Sequence, residues 1–271
     1  MQELLNHPAV QGGLAPFVVA LIVAELFQRM RLSGLAIIAG FAVTVYMASD
    51  FAIEPLTAAR KIVLLGLLSS GLALPLMLFN PRWLRPLLAV AGGGAAVWVA
   101  LRILQQQEIA HILLWGAGCA LYVGWVVYWF DGLSNDSVRA GSAGMALGLG
   151  SGAAALFGAS ALLGQFGLAL GAAAGAYLLI QILTRSPLPC GRSYTLPLSL
   201  IAGLSGCLAV LTAELPWYAL PALAAIPVAA KIPLPAKQAL WIEAMLLSAV
   251  TLMCAAGAVY LTWRVAGAPP L

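Results

Sequence analysis

Apolar residues along this chain come in long unbroken runs, and the polar residues sit in short stretches between them. Neither the alternation of a half-buried strand nor the narrow stripe of a soluble amphipathic helix describes such runs. A membrane-spanning helix needs about 20 apolar residues. The runs predict ten such helices, over 13–30, 33–49, 60–80, 84–104, 109–130, 138–161, 165–183, 194–213, 215–230 and 236–263. The runs at 33–49 and 215–230 are short. The second opens LPWYALPALAAIP, whose prolines predict a kinked or re-entrant segment. A nine-helix bundle is the alternative.

Composition agrees with this reading. Of the 271 residues, 63% are hydrophobic and 8% are charged, with mean hydropathy +1.00. Soluble domains carry about 25% charged residues, so a soluble fold would lack a polar cover. The expected fold is all-α, a polytopic helix bundle with the lipid bilayer as its solvent. Ten spans use roughly 200 residues, leaving only short loops. A single transmembrane domain, 1–271, follows, with tentative halves 1–132 and 133–271 and no soluble domain. A receptor ectodomain and an extramembrane catalytic domain are excluded. Five helices per half would place the halves in opposite orientation, as an inverted repeat requires. The N-terminal MQELLNHPAV has no basic n-region, so no cleaved signal peptide is expected.

Charge then tests the helix count. The net charge of +4 comes from 13 basic and 9 acidic residues. With the N-terminus outside, the inner loops carry Arg29, Arg31, Arg82, Arg85, Arg139, Arg185, Arg192, Lys231 and Lys237. The outer side carries Arg60, Lys61, Arg102 and Arg264, with Glu3, Asp50, Glu54, Glu108 and Glu214. Basic loops stay in the cytoplasm, so both termini are expected on the non-cytoplasmic side of an inner membrane. No basic patch interleaved with aromatics points to nucleic acid.

Aromatic and small residues mark surfaces. Trp83, Trp217 and Tyr218 lie at predicted interfaces, where an amphipathic ring is favoured. Tyr122, Trp125 and Trp129 share a helix face, read as an aromatic belt, with a cofactor or quinone box as the alternative. Gly144, Gly148 and Gly152 recur every four residues, as do Gly167, Gly171 and Gly175. Small residues on one helix side allow close backbone approach in lipid. With ALLGQFG as the link, helices six and seven are expected to form a tight antiparallel hairpin. The glycine faces serve that internal contact or, alternatively, a sliding surface or dimer seam.

Two acids fall inside apolar runs. Intramembrane carboxylates are costly and mark functional sites by default. Glu25 precedes Arg29 by one helical turn, and the pair is expected to neutralise itself. Glu243 has no basic residue at helical spacing and is placed about two turns into helix ten. It is the stronger candidate for proton or ion coupling, and it could share a proton or cation with Glu25 if the two meet. His111 follows Glu108 by about one turn, which suggests a proton relay or an ordinary interfacial histidine. Asn135 or Asp136 is expected to cap helix six, rather than join Asp131 as an ion ligand. Pro187, Pro189 and Gly191 predict a turn.

The chain has no HExxH, GxSxG, Walker A or GxGxxG motif in a fitting context. His7 and His111 are its two histidines, too few for a haem or multi-histidine metal centre. Cys119, Cys190, Cys207 and Cys254 form no CxxC and read as small apolar fillers. No enzyme activity, metal or cofactor is expected.

In size and helix number the chain resembles transporters of the drug/metabolite type, in layout alone. The leading expectation is a proton-coupled transporter or exporter of a small, weakly polar or lipid-like solute, with Glu243 and Glu25 as coupling candidates. Gln165, Gln181, Ser199, Ser205 and Ser248 are polar residues available to line its path. The alternative is a non-catalytic subunit or scaffold, in a homodimer or a larger membrane complex.

Overall fold

The computed structural model describes residues 7–49, 51, 54–77, 81–158, 160–213, 215–235 and 238–266. Glu3, Asp50, Glu214 and Lys237 lie outside the described residues, so their predicted sides go unexamined. The described residues form ten α-helices and no strand. They are α1 (Ala15–Phe27), α2 (Ala36–Ser49), α3 (Ala58–Leu76), α4 (Leu84–Leu104), α5 (Ile109–Asp131), α6 (Ser137–Phe157), α7 (Ala161–Thr184), α8 (Gly191–Thr212), α9 (Ala219–Ala229) and α10 (Leu240–Ala266).

Eight helical stretches are long and apolar enough to cross a membrane. The short ones are α2, which a 3₁₀ turn at Ser33–Leu35 extends, and α9. These are the two runs whose length was in question. At 1.5 Å per residue the 11 residues of α9 reach about 17 Å, well short of a ~30 Å hydrocarbon core. Prolines explain the limit: Pro216 precedes the helix and Pro227 interrupts its hydrogen-bond ladder. A π-helical turn, Val10–Leu14, and a 3₁₀ turn, Gln28–Met30, lengthen α1 at its two ends. Arg31, with φ 58°, then ends the helix in the left-handed region.

Helices α6, α7 and α8 form the buried centre, and α8 is the most enclosed. Around them α1, α3, α4, α5 and α10 turn Leu, Val and Trp side chains outward. Close contacts depend on missing side chains. A Cβ on Gly148 would meet the backbone nitrogen of Gly171, and one on Gly167 would meet Gly152. The internal reading of the glycine faces therefore holds for the α6–α7 seam. Gly144 instead also faces the Tyr194 hydroxyl of α8, and Gly175 faces Met145. Gly93 and Gly124 make a similar close approach between α4 and α5, at Ala120 and Ala89.

The α6–α7 turn differs from expectation. ALLGQFG is not a link but the first two turns of α7, since α6 ends before Gly158 and α7 starts after Ser160. Gly158 ends α6 and Ser160 occupies the N-cap position of α7, so two turn-forming residues outweigh a glycine inside an apolar run.

Successive helices alternate in direction, and this sorts the loops to two ends. At one end Ser33 donates to the Pro189 carbonyl (2.7 Å), Arg192 to Leu76 (2.9 Å) and Arg139 to Ala230 (2.7 Å). At the other, Gln11 donates to Met47 (3.3 Å) and Lys61 to Trp98 (2.8 Å). Each described basic residue assigned to the inner side lies at the first end. Pairings partly exchange between the halves: α1–α2 corresponds to α6–α7, and α4–α5 to α9–α10. The close α6–α10 packing has no comparable α1–α5 counterpart.

Candidate functional site

Charged residues gather where α5, α6, α8, α9 and α10 meet at the arginine-rich end. Three groupings share that end. In the first, Arg192 of α8 holds Asp131 of α5, Nε to Oδ1 at 2.8 Å, with both side chains more than nine-tenths buried. The same guanidinium donates to the Leu76 carbonyl at the end of α3. A buried pair of this kind repays its desolvation only with good geometry and further hydrogen bonds, and both are present.

In the second grouping Arg139 pairs with Asp136 (2.9 Å) and donates through Nη1 to the Ala230 and Ile232 carbonyls (2.7 and 2.9 Å). Its Nη2 lies 3.9 Å from Glu243. Asp136 also caps α6, accepting from the Arg139 backbone nitrogen at 3.2 Å, as expected. Arg139 thus ties the end of α9 to the start of α6 and, more loosely, to α10.

In the third grouping Arg85 donates to the Tyr128 carbonyl (2.7 Å), with Cζ 3.8 Å from the Tyr128 ring centre. Lys231, just beyond α9, sits over the Trp129 ring at 4.5 Å. Partial burial and the nearby Arg85 push the Lys231 ammonium pKa down from its ordinary value, and Asp131 opposes them.

Above this end, on the outer surface of the bundle, an apolar groove of about 1090 Å³ runs between α5 and α9. Leu114, Leu121 and Trp125 form one wall, Pro221, Ala225 and Ile232 the other, and Tyr122 and Cys119 the floor. Gly118, Ala224, Ala225 and Ala229 are too small to fill it. Trp125 donates from Nε1 to the Ala224 carbonyl at 3.1 Å, bracing the two walls. Tyr122 and Trp125 therefore line a groove rather than form a simple belt. A second apolar groove of about 570 Å³ lies between α6 and α10. Neither groove has Glu243 in its lining.

The predicted coupling residues separate. Glu25 is exposed and accepts from Gln28 Nε2 at 2.8 Å, not from Arg29. The 3₁₀ turn at Gln28–Met30 explains this, since tightening removes the i,i+4 register the pair needs. Glu243 stands in the first turn of α10, which begins at Leu240, rather than two turns in. Its partner is Arg139 of α6, and its side chain is 30% exposed. The two carboxylates have different partners on helices that do not pack closely together, so no shared proton site forms. His111 and Glu108 are both exposed, with no hydrogen bond between them.

The expected polar path is a set of local bonds. Gln181 accepts from Ser137 (2.6 Å), Ser248 donates to Ser142 (3.3 Å) and Ser199 to Thr195 of its own helix (2.7 Å). Gln165 packs beside Gly12. The Ser205 hydroxyl is buried without a partner among the described residues. No group of three or more His, Cys, Asp or Glu side chains that could hold a metal occurs among the described residues.

In the sequence Arg85, Arg192 and Lys231 read as loop charges alone, and Asp131 as a possible ion ligand rather than the partner of Arg192. The signal was available: Asp131 ends an apolar helix and Arg192 opens one, where an unpaired charge is expensive. Compared with known protein families, with curated proteins and with solved structures, the chain has no significant match.

Proposed function

We propose that this chain is a proton-coupled transporter or exporter of a small lipid-like solute, with its arginine-rich end toward the cytoplasm of an inner membrane. The α5–α9 groove carries the reading. It is apolar, open to the bilayer and lined by small residues on a helix too short to span. An amphiphile could enter it sideways from one leaflet without crossing water.

Arg139 and Glu243 are the coupling candidates. The Arg139 guanidinium holds the carbonyls that end α9, the helix forming one groove wall, and it also faces Glu243. A proton on Glu243 removes the more distant of the two carboxylate charges Arg139 faces, leaving Asp136, and so alters the balance of contacts that positions α9. Positive-inside sorting supports the orientation.

The test is mild-detergent purification with native mass spectrometry, on the wild type and on Ala225→Trp, whose indole would fill the groove. A lipid-like molecule carried by the wild type and lost in the variant is expected. A stoichiometric partner polypeptide, with the same molecules bound in both forms, would replace this reading with that of a complex subunit.

A further inference from the structure

We infer that the cytoplasmic end of the α5–α9 groove is a binding site for an anionic phospholipid, with Arg85, Trp129 and Lys231 taking its phosphate and the groove taking an acyl chain. This rests on the groove being the solute or lipid site proposed above, and it names the chemical class that site selects.

Three donors converge there with unmet hydrogen-bonding capacity. Arg85 Nη2 is buried and has no acceptor among the described residues, and the same holds for Trp129 Nε1. Buried donors left without acceptors are costly. Lys231 Nζ makes a cation–π contact with the Trp129 ring. Arg85 Nη2 and Lys231 Nζ both lie 2.6 Å from the point a Cβ on Gly132 would occupy, so two cations sit side by side against one glycine. The acids at this end are otherwise engaged. Asp131 is hydrogen-bonded to Arg192, although its charge also reaches Lys231, while Asp136 and Glu243 face Arg139. The Trp129 and Tyr128 rings face the two cations but supply no net negative charge.

A phosphate satisfies this arrangement. Its several oxygens accept from a guanidinium fork, an indole N–H and an ammonium together. Position then selects a lipid over a free anion. Ile232 and Ala229 flank Lys231 in sequence and line the groove. Trp125, also in the groove, packs against Trp129 with ring centres 5.5 Å apart and the rings tilted by 49°. The groove wall from Leu114 to Trp125 is about 17 Å long at 1.5 Å per residue, close to one leaflet of a ~30 Å core. A headgroup at the cations therefore leaves its chain along the groove. Anionic lipids of a cytoplasmic leaflet meet basic residues at this depth.

The experiment uses the full chain in detergent, presented with equal amounts of phosphatidylglycerol and phosphatidylcholine of matched chains and read by native mass spectrometry. The wild type should retain phosphatidylglycerol with a severalfold preference. Lys231→Gln and Arg85→Gln should abolish that preference, while Arg82→Gln, an exposed arginine at the same end, should keep it. Lys231 is half-buried and just beyond α9, so its variant remains informative if Arg85→Gln misfolds. A preference unchanged in both variants overturns the headgroup assignment, and the groove reading survives if Ala225→Trp still displaces lipid. Lipid retention unchanged in Ala225→Trp overturns the groove reading, and this inference with it. Glycerol phosphate that displaces the lipid as readily as phosphatidylglycerol does would overturn the lipid assignment.

Discussion

Arg192 Nε lies 2.8 Å from Asp131 Oδ1, joining residues 61 apart in sequence across the buried end of α5 and α8. Removing one partner leaves the other charged and desolvated. Asp131→Ala should therefore cost about 3–5 kcal/mol, whereas the double change to Asp131→Leu with Arg192→Met should cost much less than the two single truncations together. Thermal unfolding in detergent measures both. Small losses in the single variants that add up in the double variant would show the pair to be solvated.

The α6–α7 seam should be sensitive to single methyl groups. Gly148→Ala places a carbon against the Gly171 backbone, which cannot rotate away. A loss of about 1–3 kcal/mol is expected. Gly94→Ala, in a helix interior with nothing within 4 Å, should be neutral or should gain up to about 1 kcal/mol. Comparing the two melting temperatures separates packing from helix propensity.

The two intramembrane acids should differ in effect. Glutamine keeps the size of Glu243 but carries no titratable carboxyl, so uptake by Glu243→Gln should lose its dependence on pH. Glu25 is exposed and bonded to Gln28, so Glu25→Gln should leave the pH profile unchanged. Uptake of the co-purified solute into proteoliposomes, measured across pH, tests this pair. A wild-type profile in Glu243→Gln would sink the coupling role.

Lys231 should react as an unusually basic-poor amine. Its lowered pKa means that it loses its proton at a lower pH than an ordinary lysine. Below that ordinary value an amine-acylating reagent should therefore modify it readily. Arg85→Gln removes one cause of the shift, so the pKa should rise and labelling at the same pH should slow. Peptide mass spectrometry reads the rate, and unchanged labelling in the variant would show that Arg85 does not act on Lys231.

Much of the architecture was legible in the apolar runs. Lipid leaves backbone groups no partner outside the helix, so length and hydropathy translate directly into spans. The run at 215–230 reads as short and α9 has 11 residues, and of the two expected caps, Asn135 or Asp136, it is Asp136 that caps α6. The candidate site was less legible. Glu25 and Arg29 have ideal helical spacing in the sequence, but a one-turn change to 3₁₀ geometry separates them. Glu243 appears isolated along its own helix because its partner belongs to α6.

Sequence alone determined that this chain is a helical membrane bundle of about ten helices and which loops share an end. Those properties follow from local hydropathy, helix length and the alternation that consecutive spans impose. Only the tertiary structure decided which charges pair, that small residues of α5 and α9 leave a groove, and that Arg85, Trp129 and Lys231 converge at its mouth. Such contacts join residues as far apart as Arg85 and Lys231. Their spacing depends on packing of whole helices against one another, which no run of neighbouring residues encodes.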